Sequence, residues 1–121
     1  MLILARELAT NAATPMFIAD ADGTLVFYNE PAERILGRPF VAAGEIVASE
    51  WEELFRVETL EGQPMPLDQM PSGVAFLERR AASGSLRITG LDGKSHDLSV
   101  TAFPLFKRGR EFVGMVALFW E

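Results

Sequence analysis

A single histidine lies in the run Ser95-His96-Asp97, which holds the three side-chain types of a nucleophilic triad. Acyl transfer needs the imidazole to bridge the hydroxyl and the carboxylate. Successive strand residues point to opposite faces, so in an extended stretch His96 turns away from both neighbours. No second histidine exists to replace it. The tripeptide predicts no triad, and His96 reads as a surface or edge residue near the start of a strand. Asp20-Ala21-Asp22-Gly23 carries the opening carboxylates of a calcium loop but lacks the later oxygen ligands and the closing Glu. A tight turn between two strands accounts for it. A small cone-shaped α+β enzyme moving protons on an apolar substrate would need an ionisable residue deep in its cup. Asp20 is the candidate for that role, and capping the turn explains it better. The chain has no cysteine, which excludes disulfides, thiolate metal sites, a cysteine nucleophile and a cysteinyl photoadduct. No catalytic residue and no metal ligand is assigned, and the reading is of a protein that is not an enzyme.

The elements that hold these residues belong to one domain. With 121 residues, 49% hydrophobic and 23% charged, the chain has the balance of a soluble globular protein, and at this size it buries roughly two-thirds of its unfolded surface. A net charge of −6 repels phosphate backbones, so nucleic acid is not an expected partner. The opening Met1–Leu8 run is interrupted by Arg6 and Glu7 and is too short for a signal peptide. No stretch reaches the roughly 18–20 apolar residues of a membrane span. A cytoplasmic protein without a membrane partner is expected. Glu45, Glu50, Glu52, Glu53, Glu58 and Glu61 make the middle acidic. They read as a solvated face, with docking of a basic partner as the alternative.

Met1, Leu4, Ala5, Leu8, Ala9 and Ala12 recur at helical spacing and predict an amphipathic helix closed before Pro15. Met16–Asp20 and Thr24–Tyr28 flank Asp22-Gly23 and predict a hairpin. Asn29 reads as the N-cap of a helix with Pro31 in its first turn, ended by Gly37 and Pro39. A loop follows over 40–48. Ser49 and Glu52 have capping-box spacing, ahead of a short helical face of Trp51, Leu54 and Phe55. Asp68 is the expected cap of a long helix over roughly 69–83, with Met70, Val74, Leu77 and Ala81 on one face and Gly84 as its stop. The last third reads as a meander of Leu86–Gly90, Ser95–Leu105 and Glu111–Trp120, joined through Asp92-Gly93 and Arg108-Gly109. The final strand is apolar on both faces, which predicts a covered outer face.

This order of elements, with these turns, resembles a PAS domain. The resemblance is carried by Pro15–Asp20, Asp22–Tyr28, Asn29–Glu33, Leu36-Gly37, Glu61–Pro66, Asp92-Gly93, Val100–Leu105 and Gly114. It implies an α+β, profilin-like fold: a five-stranded antiparallel sheet in the order 2-1-5-4-3, helices cupped on one face, and here an N-terminal amphipathic helix. Residues 1–13 would be that helix and 14–121 the domain. The resemblance also implies a non-catalytic sensory or interaction module, usually attached to a histidine kinase or another signalling effector. Haem-binding members usually place a histidine on the long central helix, and 69–83 has none. Light-oxygen-voltage members need a cysteine, and the amides that a flavin would want are limited to Asn11, Asn29, Gln63 and Gln69. Haem and flavin are therefore disfavoured, and no cofactor is specified. Many members end on an Asp-x-Thr, whereas this chain ends Phe119-Trp120-Glu121.

The expected cup collects Phe17, Ala19, Ala32, Ile35, Leu54, Phe55, Met70, Val74, Leu86, Ile88, Val100, Ala102, Met115, Ala117 and Phe119. They make either a packed core or a site for a small apolar ligand, since both bury the same residue types. A homodimer is expected through Leu4, Leu8, Val116, Leu118 and Trp120. A ligand-free dimerisation or protein-interaction scaffold is the alternative.

Overall fold

A computed structural model describes residues 13–39, 44–47, 50 and 54–121. Strands β1 (Met16–Asp20) and β2 (Leu25–Tyr28) form the hairpin expected around Asp22-Gly23. Its turn is tied by the Asp20 carboxylate, whose Oδ1 accepts from the backbone N–H of Asp22 at 2.9 Å and of Thr24 at 3.1 Å. Helix α1 (Glu30–Leu36) begins at Asn29, whose Oδ1 accepts from the N–H of Ala32. The helix ends at Gly37, where φ is 85° and a Cβ would lie 2.6 Å from the Asp92 nitrogen. A residue without a side chain meets both conditions.

Helix α2 (Pro71–Glu78) is shorter than the sequence predicts. Asp68 lies inside a separate 3-10 turn, Leu67–Gln69, and Met70 occupies the N-cap position without a side-chain hydrogen bond. The helix stops at Arg79, which is left-handed at φ 59°, well before Gly84. Strand β3 (Ala82–Thr89) starts four residues earlier than expected, because the backbone from Ala82 onward pairs with Ala102 and its neighbours. Apolar spacing through Leu77 and Ala81 imitated a helix continuing for more than one further turn. Leu77 is in fact 52% exposed, and Ala81 is exposed beyond the helix.

Strands β4 (Ser95–Lys107) and β5 (Glu111–Trp120) complete a five-stranded antiparallel sheet in the order β2-β1-β5-β4-β3. The sheet order and the helices on one face expected from the resemblance are the ones observed. Gly114 on β5 sits opposite Asp20, and a Cβ there would strike the Ala19 carbonyl, so this central pairing needs glycine. Pleating sorts the apolar residues onto two faces. Ala19, Leu98, Val100, Ala102, Met115, Ala117 and Phe119 join α1 and α2 in the main core. Met16, Ile18 and Val116 form a second buried cluster with Val26, Phe27, Phe103, Leu105 and Leu118, all of them strand residues among those described. A register shift between Ile18 and Ala19 lets β2 supply Leu25 and Tyr28 to one face, and Val26 and Phe27 to the other.

The helix expected over 1–12, with Leu4 and Leu8, lies outside the described residues, as do Ser49, Trp51 and Glu52. Leu54 is 43% exposed and stands apart from the core, whereas its neighbour Phe55 is buried in it. Phe55 is held by its backbone, since its carbonyl accepts from Thr89 N–H at the end of β3.

Candidate functional site

Between the sheet and the helices lies a cavity of about 50 Å³. Its wall is Phe17, Leu25, Leu36, Phe55, Val57, Met70, Ser72, Leu86, Ile88, Leu98, Val100 and Phe119. Strands β3 and β4 supply one side through Leu86, Ile88, Leu98 and Val100, which alternation turns the same way. Met70 and Ser72 close it from the start of α2, and Phe17 and Phe119 meet as tilted rings with centroids 6.1 Å apart. Among the described residues of the wall, eleven are apolar and Ser72 is polar. The space exceeds what one water needs, but falls below the roughly 150 Å³ apolar cavity known to take up benzene.

Of the expected cup residues, Phe17, Phe55, Met70, Leu86, Ile88, Val100 and Phe119 line this cavity. Ala19, Ala32, Ile35, Ala102, Met115 and Ala117 are buried in the surrounding core without reaching it, and Val74 is half-buried on α2. Leu54 does not join them. Sequence reasoning missed Leu25, Leu36, Val57, Ser72 and Leu98. Alternation with Val100 was enough to find Leu98. Val57 and Ser72 carried no signal, because a loop and a polar residue are brought to the wall only by the tertiary fold. On the outer face Val116 is buried, Leu118 is partly buried and Trp120 is 45% exposed.

The chemistry-bearing residues are each engaged elsewhere. Ser95 Oγ lies 3.4 Å from Thr89 Oγ1, and Asp97 accepts from Arg87 Nε at 2.7 Å. His96 Nδ1 lies 3.1 Å from Glu121 Oε2. Its side chain is only 15% exposed, and Nε2 is buried without a hydrogen-bond partner. His96 is thus more enclosed than a surface or edge residue. Its place opposite Ile88 puts it on the same face as Leu98 and Val100. Among the described residues no three His, Asp or Glu side chains gather as a metal site, and no helix is long and apolar enough to cross a membrane.

Tyr28 and Asn29 lock the hairpin to α1. Tyr28 O–H donates to the Arg38 carbonyl at 2.7 Å. Burial pushes its phenol up, Glu33 adds to the effect and Arg38 opposes it.

A sequence model of the PAS domain family matches residues 13–120. The chain belongs to the PAS domain family. Among solved structures, a PAS domain from Colwellia psychrerythraea superposes with a TM-score of 0.65 at 16% identity, covering 99% of this chain and 95% of that one. The PAS domain of the fruit-fly ELK potassium channel gives 0.76 at 10% identity, covering 100% and 96%. That of the nitrogen regulation protein NR(II) from Vibrio parahaemolyticus gives 0.63 at 17% identity, covering 95% of each chain. At these identities the likeness is one of fold. No curated protein matches the chain. This PAS domain, like its relatives, sets a sheet of order 2-1-5-4-3 against helices on one face, an arrangement of the family of sensory modules.

Proposed function

We propose that this PAS domain is a non-catalytic sensory module of the cytoplasm that takes a small apolar ligand between its sheet and helices and signals through dimerisation. The observation that carries the reading is the cavity, whose wall is apolar apart from Ser72. Such a wall favours a guest by removing its apolar surface from water, and Met70 adapts its shape at low cost. The ligand set is Phe17, Phe55, Met70, Ile88 and Val100 at the wall, backed by Ala19, Ala32, Ile35, Val74, Ala102, Met115 and Ala117. A guest that favours one arrangement of helices and sheet shifts the population toward it.

We propose further that residues 1–13, of which 1–12 lie outside the described residues, act as an amphipathic helical segment ahead of the domain at 14–121. Its Leu4 and Leu8 lie with Val116, Leu118 and Trp120 in a homodimer interface on the outer sheet face. The second apolar cluster on that face supports this. The output is a kinase or another signalling effector.

Native mass spectrometry of freshly purified protein, with an absorbance spectrum of the same sample, tests the reading. The expected result is a dimer carrying extra mass that leaves on denaturation. A bare dimer would favour a scaffold that acts by pairing alone, and a bare monomer would remove both.

A further inference from the structure

The tip of the β4–β5 hairpin and the end of α2 form a surface unlike the rest of the molecule. Residues 78–80 and 107–111 hold five of the chain's eleven Lys and Arg, but only two of its seventeen Asp and Glu. Both of those acids are already used: Glu78 pairs with Arg80 at 3.0 Å and Glu111 with Lys107 at 2.9 Å. Arg79, Arg108 and Arg110 make no ion pair among the described residues.

Two of these three are held in place. The Arg79 guanidinium lies over the Phe112 ring at 3.8 Å, and its Nε donates to the Phe76 carbonyl. That of Arg110 lies over Phe106 at 5.9 Å, and Phe106 meets Phe112 edge-on at 6.1 Å. Both arginines adopt left-handed backbone, at φ 59° and 62°, where glycine or asparagine is the usual occupant. The result is a row of guanidiniums on a shared aromatic base, with their hydrogen-bonding forks largely unspent.

We infer that this tip is a docking site for a short acidic segment of a partner protein, distinct from the cavity and independent of what fills it. A guanidinium fork pairs with a carboxylate through two parallel hydrogen bonds, and stacking on a ring keeps it pre-organised. The half-buried Phe106 offers an apolar ledge for a neighbouring side chain. An extended acidic segment rises about 3.3 Å per residue, so a few residues span the row. A long polyanion fits less well. Fifteen of the seventeen acids lie elsewhere on this net −6 chain and repel whatever extends past the tip.

The test is ¹⁵N–¹H NMR titration of the whole chain with an acetylated, amidated octapeptide of Glu and Asp around one central Leu. An octapeptide with Gln and Asn replacing the acids serves as control. Saturable shifts confined to residues 76–80 and 105–112 are expected with the acidic peptide alone. Arg108→Gln combined with Arg110→Gly should weaken binding at least tenfold. The glycine relaxes a left-handed position, so the variant keeps its fold, which its own spectrum reports. Arg34→Gln, which removes one charge from the last turn of α1, should leave binding unchanged. Equal weakening by Arg34→Gln, no saturable shift, or shifts scattered over the surface would overturn the proposal. So would tighter binding of oligo-dT or of phosphatidylserine vesicles at the tip, which would make it a polyanion site. Concentration-dependent shifts at the tip without peptide would also overturn it, by assigning the tip to a second copy of the chain.

Discussion

Asn29 carries more of this structure than any other polar side chain described. It is buried, its Oδ1 accepts from Ala32 N–H at 3.2 Å and Met16 N–H at 3.0 Å, and its Nδ2 donates to the Thr14 carbonyl at 2.9 Å. Replacing it with alanine removes a helix cap, worth about 1 kcal/mol. It also strands the buried Met16 N–H, at a cost of about 1–3 kcal/mol, and frees the part-buried Thr14 carbonyl. Asn29→Ala should lose about 3 kcal/mol in urea unfolding with an unchanged slope. Tyr28 permits a cleaner measurement, because it is the only tyrosine in the chain. Its phenol is held above the ordinary value, so the folded state gains stability below about pH 10 and loses it as pH rises through the folded value. Absorbance at 295 nm should titrate above pH 10 in a single step together with unfolding; a midpoint at the free-phenol value would contradict the buried bond to Arg38. The Arg87 hydrogen bond holds the exposed Asp97 carboxyl below its usual range, against an opposing effect of desolvation and with help from the Arg87 charge. This contribution is complete above about pH 4 and disappears as pH falls through the lowered value. The melting-temperature difference between wild type and Arg87→Ala should therefore shrink on acidification.

Gly37 joins α1 to the β3–β4 turn, and through it the helix is set against the sheet. Gly37→Ala forces a side chain into a left-handed backbone and against Asp92, so a loss of about 1–3 kcal/mol is expected by chemical denaturation. These local features were legible in the sequence. A turn such as Asp22-Gly23, a cap such as Asn29 and a stop such as Gly37 act within a few residues. The alternation Leu98, Val100, Ala102 likewise fixes a face without knowledge of the partner strand. The region from Asp68 to Gly84 was not legible, because helix and strand competed for it. The apolar spacing at Met70, Val74, Leu77 and Ala81 favours helix, but the β4 edge captures the backbone from Ala82 and leaves Leu77 in water. The cavity was legible only in part for a related reason. Strand positions such as Ile88 and Val100 announce their face, whereas Val57 and Ser72 reach the wall through folding at long range.

The molecule as a whole presents two apolar faces separated by one sheet, and each has a separate task. On the outer face, Leu118→Lys with Trp120→Glu should convert a dimer into a monomer at high micromolar concentration by sedimentation velocity, while the folded spectrum is retained. A monomeric wild type would remove the dimer from the account. The inner face holds the central claim, that the space between sheet and helices admits an apolar guest. The most direct measurement is NMR of the methionine methyls under increasing xenon pressure, since xenon enters dry apolar cavities without needing a polar contact. Met70 lies on the cavity wall and Met16 on the outer face, so the protein carries its own control. The Met70 methyl is expected to shift and saturate while that of Met16 stays in place. A Met70 methyl that does not move, or moves no more than that of Met16, would mean that the interior is a filled core and that this PAS domain works through its surfaces alone.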